Sequence, residues 1–191
     1  MVEAVGSVPN VGWLSGNGLD LSDGVLCSPD LNPVRDGVSV ESVWAVGDVA
    51  RFPNLALDAA ARRVEHWNIP AAAARYAARR VVDYLGTGYP QDHRAHDPDP
   101  GLEQPSVGFQ PLPTFWSNQG ALSLQSYGLP ALGHDDVRGL DDPERQGAAI
   151  GYFRDDRLVG VVLINLNERA AHYRAVMADC LWTGANVKRS G

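Results

Sequence analysis

Gly47 and Asp48 stand at the end of the apolar run Val43-Trp44-Ala45-Val46, and this pair is the stretch of the sequence best suited to hold a ligand. The run reads as a buried strand that the glycine stops. A glycine there lets a ligand approach the backbone, and the adjacent carboxylate can accept hydrogen bonds from sugar-like hydroxyls. In open α/β sheets ligands bind beyond the carboxyl ends of strands. The same dipeptide is also a common turn former in which the aspartate caps the turn. The local pattern leaves both readings open.

Other reactive side chains form no comparable pattern. Cys27 and Cys180 are far apart, with no C-x-x-C pair, so neither a dithiol site nor a zinc or iron–sulfur centre can be assembled from them. Each reads as a small core residue. His93 and His96 lie three apart, but Pro98 and Pro100 follow and no further ligand pattern supports a metal. Ser117 and Ser126 have no recognisable base, and Asp135-Asp136 and Asp141-Asp142 read as solvated loop charges. No side chain presents itself as a nucleophile, so no catalytic residue is assigned.

Composition sets the frame around these residues. The 191-residue chain is 45% hydrophobic and 20% charged, as a globular protein with a buried core should be. Its formal net charge of −7 argues against nucleic acid as a partner. No apolar run approaches the ~20 residues of a membrane span. The opening MVEAVGSVPN lacks the basic-then-apolar layout of a signal peptide, so a cytoplasmic setting is expected. The basic side chains are arginines except for Lys188.

The elements that must position the Gly-Asp pair come in two groups. MVEAVGSV, Gly24 to Cys27 and Ser42 to Val46 read as short strands. A helix follows in which Trp67, Ala71, Ala74, Ala78, Val81 and Leu85 form the apolar stripe, with Asn68 as N-cap, Pro70 in the first turn and Gly86 as the C-terminal stop. After a stretch rich in Gly, Pro, Asp and His, strands are expected at 114–116, 121–127, 148–154 and 158–164, with Asp155-Asp156 turning the last hairpin. A helix capped by Asn167 and running roughly to Cys180 closes the chain. The fold class is therefore α/β plus α+β: the tail of a Rossmann-like layer followed by a small antiparallel-sheet domain with a closing helix. The expected organisation is 1–86 as the end of a nucleotide-binding layer, 87–111 as a linker, 112–183 as the α+β domain and 184–191 as a tail.

Four motifs in order then point to a family. Val43 to Ala50 resembles the second FAD-binding motif of two-dinucleotide-binding-domain flavoproteins, and Ala4 to Asn10 resembles their G-x-x-P-N segment. Arg63-Val64-Glu65-His66-Trp67-Asn68 resembles the start of the helix that faces the isoalloxazine. Leu112 to Gln119, with Phe115-Trp116-Ser117, is similar to the signature that opens the carboxyl-terminal domain of oxygenase-coupled ferredoxin reductases. The chain thus resembles the carboxyl-terminal half of an FAD-dependent pyridine-nucleotide ferredoxin reductase, of the kind that includes putidaredoxin and rubredoxin reductases.

That resemblance implies FAD as cofactor, NAD(P)H as electron donor in the complete enzyme, and a ferredoxin-type iron–sulfur protein as partner. It implies that Gly47 and Asp48 meet the ribityl chain and that Trp67 and Trp116 border the flavin. The amino end of the helix would then favour the negative charge of a reduced flavin. Arg75 and Arg79, with Arg80, would offer a basic docking face to the partner, the other reading being a solvated arginine face; for Trp116 the other reading is a core tryptophan. Asn118 stands where the family usually has aspartate, and Ile69-Pro70 interrupts the usual start of the helix, removing one N–H. Neither Gly16-x-Gly18 nor Gly86-x-Gly88 continues into a Gly-x-Gly-x-x-Gly fingerprint, so a missing amino-terminal half or complementary chain is implied, and activity of this chain alone is not expected. A homodimer is compatible with the family. Two alternatives are a non-catalytic interaction module that keeps the carboxyl-terminal fold and a relative of the pyridine nucleotide-disulfide reductases.

Overall fold

A computed structural model describes residues 6–86, 108–140 and 147–184. The first five residues, His93, His96, Asp141, Asp142 and the tail from 185 lie outside the described residues, as does most of the expected linker. The chain divides into two compact units: residues up to Glu65 with Ile69 to Gln110, and His66 to Asn68 with Pro111 onward.

The first unit carries a small mixed sheet. Strand β1 (Val25–Leu26) runs parallel to β4 (Ala50–Pro53), which pairs antiparallel with β5 (Ala61–Arg63). A two-stranded ribbon of β2 (Val34–Arg35) and β3 (Val38–Ser39) lies between them in sequence. Two expectations fail here. Gly6 to Val8 form no strand, and Val43 to Val46 join no ladder. Their backbone is held instead by the loop before β2: Ala45 N–H donates to the Leu31 carbonyl at 2.9 Å, and the Asn32 side chain donates to the Val43 carbonyl at 2.8 Å. The ladder strand comes after Gly47-Asp48, at β4, so the pair precedes a strand rather than ending one.

Helix α1 spans Asn68–Tyr84, close to expectation, and Gly86 follows it with φ of +67°. Its buried face is not the expected stripe. Ile69, Ala72, Ala73 and Ala77 are buried, whereas Ala71, Ala74 and Ala78 are exposed. Six alanines between 71 and 78 carry little facial information. Phasing the stripe from Trp67 instead of Ile69 turned the predicted face to the wrong side by roughly two residues, about 200° on a 3.6-residue helix. Phe109 completes this core. It is 1% exposed, sits 5.2 Å from the Phe52 ring and 5.4 Å from Tyr76, and its N–H donates to the Pro29 carbonyl.

The second unit is an antiparallel sheet of five strands with order β6-β7-β10-β9-β8. The strands are β6 (Thr114–Gln119), β7 (Leu122–Gly128), β8 (Val137–Gly139), β9 (Ala148–Arg154) and β10 (Arg157–Ile164). Four match the expected ones; β8, only three residues long, had no legible pattern. Asp155 and Asp156 turn the β9–β10 hairpin with φ of 52° and 59°, the doubly positive geometry that matches strand twist. Helix α2 (Ala170–Thr183) buries Tyr173, Met177, Ala178, Cys180 and Leu181, and central β10 buries Leu158, Val159, Val161 and Leu163. Asn167 does not cap α2. It sits in a preceding 3-10 turn, and its Oδ1 accepts from Ser123 Oγ and Gln125 Nε2.

Two glycines separate backbone need from packing need. Gly128 ends β7 at φ +76°, and a Cβ there would lie 2.4 Å from the Val159 carbonyl oxygen and 2.7 Å from Met177 Cε. Gly120, in the β6–β7 turn at φ +62°, has open space around it. Gly120→Ala should therefore cost only the left-handed backbone penalty, about 1 kcal/mol, while Gly128→Ala adds a steric clash and should cost about 3 kcal/mol or more. Urea unfolding midpoints of the two variants test this order.

Candidate functional site

The residues expected to carry the chemistry fall into the two units separately. In the first, the Gly47-Asp48 turn is built by three successive carbonyls, each with its own donor. The Gly47 oxygen accepts from Ala50 N–H at 3.0 Å, the Asp48 oxygen from an Arg63 guanidinium N–H at 3.4 Å, and the Val49 oxygen from Val25 N–H at 2.7 Å. Gly47 has φ of +89°, a backbone that L side chains resist, with nothing within 4 Å of where a Cβ would stand. Asp48 is exposed. The turn thus presents a carboxylate beside open backbone, which is what a hydroxyl-rich ligand needs.

In the second unit, the three residues His66 to Asn68 run along the edge strand β6. The His66 ring lies 6.0 Å from Phe115, the Trp67 ring lies 6.5 Å from Trp116 at 46°, and the Asn68 amide donates to the Leu112 carbonyl at 2.9 Å. Trp67 is 85% exposed and Trp116 52%, so the core-tryptophan reading of Trp116 does not hold. Phe115 adds a third exposed ring at 47%. Two neighbouring indoles in water are an unusual use of the side chains with the most to gain from burial.

Polar atoms beside this aromatic group are unsatisfied. Asn68 Oδ1 and His66 Nδ1 are buried and make no hydrogen bond. Asn68 is therefore not the N-cap expected of it: it is the first helical residue of α1, and its side-chain oxygen does not turn back to the helix N–H groups. The first turn of α1 contains no acidic side chain, and Pro70 offers no N–H, which leaves the remaining amino-terminal N–H groups as donors. Burial lowers the His66 pKa below its ordinary 6.5.

Arg75 and Arg79 are exposed on α1, and Arg80 lies 3.6 Å from the Asp30 carboxylate, to which the Tyr76 hydroxyl also donates. Both cysteines are free and buried; desolvation pushes the Cys27 thiol up to about 12 and raises that of Cys180. Neither is a thiolate at neutral pH. Among the described residues no group of three His, Cys, Asp or Glu side chains could hold a metal ion, and no helix is long and apolar enough to cross a membrane. Sequence reasoning named Trp67 and Trp116 but missed their neighbours: His66 and Phe115 adjoin them in both motifs, and Arg63 was read only as part of a motif.

Residues 114–185 match a family model described as "Reductase C-terminal". Over 187 residues the chain is 28% identical to the 5,5'-dehydrodivanillate O-demethylase ferredoxin reductase subunit of a Sphingobium species, covering 94% of this chain and 37% of that protein. The fold matches the putidaredoxin reductase of its covalent complex with putidaredoxin, with a TM-score of 0.65 and 22% identity, over 91% of this chain and 35% of that one. It also matches the ferredoxin reductase for the CYP199A2 system of Rhodopseudomonas palustris, with a TM-score of 0.68 and 23% identity, over 96% of this chain and 38% of that one. The chain thus spans little more than a third of the length of these relatives.

The depressed pKa of His66 has a measurable consequence. Below its ordinary pKa of 6.5 the unfolded chain binds a proton that the folded chain refuses, so stability contributed by the neutral ring falls as pH drops from 6.5 through the lowered folded value. His66→Phe should flatten the decline of unfolding free energy between pH 6.5 and 5, read by urea titrations at each pH.

Proposed function

We propose, from the match of residues 114–185 to the reductase C-terminal family model, that this chain supplies the flavin-facing and partner-facing elements of an FAD-dependent, NAD(P)H-linked ferredoxin reductase serving an oxygenase. The proposed organisation is the end of an FAD-binding layer over 1–86, a linker over 87–111 and the reductase domain over 112–183, in a cytoplasmic setting. The observation that carries the reading is the pair of exposed indoles, Trp67 and Trp116, beside buried polar atoms that lack partners. A flavin ring is planar and aromatic, with donors and acceptors around its rim, and that is the chemistry these residues leave unmet. When bound, FAD would receive a hydride from NAD(P)H and pass electrons singly to an iron–sulfur protein.

The side chains have distinct tasks in this reading. Trp67 and Trp116 give the isoalloxazine an apolar wall and exclude water from it. Gly47 opens the backbone of the first unit to the ribityl chain, and Asp48 accepts hydrogen bonds from its hydroxyls. The amino end of α1 contributes partial positive charge, which favours an electron-rich ring. Arg75 and Arg79 form the cationic face for an acidic iron–sulfur partner, a steering role that fades with salt. The Sphingobium relative's name as a ferredoxin reductase subunit of an O-demethylase supports the oxygenase context, and the complex of putidaredoxin reductase with putidaredoxin supports a ferredoxin partner.

All these contacts address the flavin end of the cofactor, and the sequence contains no Gly-x-Gly-x-x-Gly turn for its pyrophosphate. Stacking worth about 1–3 kcal/mol and hydrogen bonds worth about 1 kcal/mol each sum to affinity on the order of 1 mM. Titrations followed by flavin fluorescence should therefore show FMN binding as well as FAD, with AMP unable to compete. Trp116→Ala, a change at an exposed position, should weaken FMN at least fivefold, which is about 1 kcal/mol of stacking. No FMN binding at several millimolar would leave the chain as a non-catalytic interaction module.

A further inference from the structure

We propose that Arg63 is a positioning residue for Asp48: its guanidinium fixes the peptide from which the ribityl-binding carboxylate projects. Its role in flavin binding rests on the reading given above for Asp48; the loop contact itself stands on geometry within the first unit. Arg63 ends β5, opposite Arg51 of β4, and its side chain is only 12% exposed. Nε donates to Asp23 Oδ1 at 2.8 Å. One terminal nitrogen meets the Glu65 carboxylate, lies 3.4 Å from Ser7 Oγ and donates to the Asp48 carbonyl at 3.4 Å. The other lies 3.5 Å from the Ser7 carbonyl.

Of the three carbonyls that shape the 47–49 turn, those of Gly47 and Val49 are held by backbone N–H groups. The Asp48 carbonyl alone is held by a side chain. Rotation of that peptide would swing the Asp48 Cα–Cβ direction, and Arg63 is what resists it. A second observation points the same way. At Gly24, φ is +76°, and a Cβ would lie 2.4 Å from the Val49 oxygen and 2.9 Å from Arg63 Cδ. The chain therefore keeps room for the stem of Arg63 to lie directly against the turn. With Asp23 and Glu65 both paired to it, the cation is matched within its own cluster and serves as a fixed strut instead of a ligand-binding charge.

Hydrogen–deuterium exchange of the whole chain without ligand tests this, using Arg63→Gln and Arg63→Lys beside the wild type. Loss of the guanidinium should speed exchange in peptides covering residues 47–50 about tenfold, while peptides from 114–128 stay unchanged. Lysine keeps the charge but not the planar fork, so Arg63→Lys should show a smaller selective increase, and it provides the comparison should Arg63→Gln not fold. In parallel, the FMN concentration for half-saturation should rise about fivefold in Arg63→Gln. Unchanged exchange at 47–50, or equal acceleration throughout residues 24–63, would overturn the positioning role. Should the wild type bind no FMN, the flavin reading fails, and the exchange comparison still decides whether Arg63 holds the turn.

Discussion

Water in contact with two adjacent indole rings is the constraint from which the rest of the structure takes its meaning. Burying an aromatic side chain is worth about 3 kcal/mol, and this fold leaves Trp67 and Trp116 largely outside its cores. The second unit does not lack places to bury apolar groups, since Leu158, Val161, Leu163 and Met177 are almost fully buried. The rings are exposed because their positions are fixed by something other than core packing: an edge strand on one side and the three residues leading into α1 on the other. Covering a surface of that kind with an apolar body gains free energy.

The scaffold holds these groups by means independent of any ligand. Register between β6 and β7 places Trp116 opposite Gln125, and a two-residue turn at Gly120 sets that register. Asn68 ties the start of α1 to Leu112, at the entrance to β6. In the first unit the Asp48 turn is held by β1, by its own 3.0 Å backbone bond and by Arg63. These side chains thus sit on turns and edges whose backbones are pinned while they face solvent.

Much of the second unit was legible from sequence because its strands alternate or run apolar between clear turn signals; the pair Asp155-Asp156 marked its hairpin as plainly as glycine would. The first unit was harder. The run Val43 to Val46 has the composition of a buried strand, but its hydrogen bonds go to the loop at Leu31 and Asn32, a long-range pairing that no local pattern encodes. Alanines hid the buried face of α1. The Asn68 and Asn167 caps failed for one reason: asparagine satisfies many local geometries, and tertiary partners claimed both side chains. For the site, motif resemblance supplied Trp67 and Trp116, yet their mutual contact is a product of fold. Arg63 could have been found from its motif, though its link to Asp48 spans fifteen residues and needs coordinates.

A flavin ring seated on Trp67 and Trp116 would shield both indoles from solvent. Oxidative footprinting resolved for each tryptophan, with and without several millimolar FMN, measures this directly, with the exposed Trp13 as an internal reference. All three rings should oxidise readily in the chain alone, and FMN should protect Trp67 and Trp116 while leaving Trp13 unchanged. Oxidation of Trp67 and Trp116 that proceeds at the same rate with FMN as without it would mean that no flavin ring covers them.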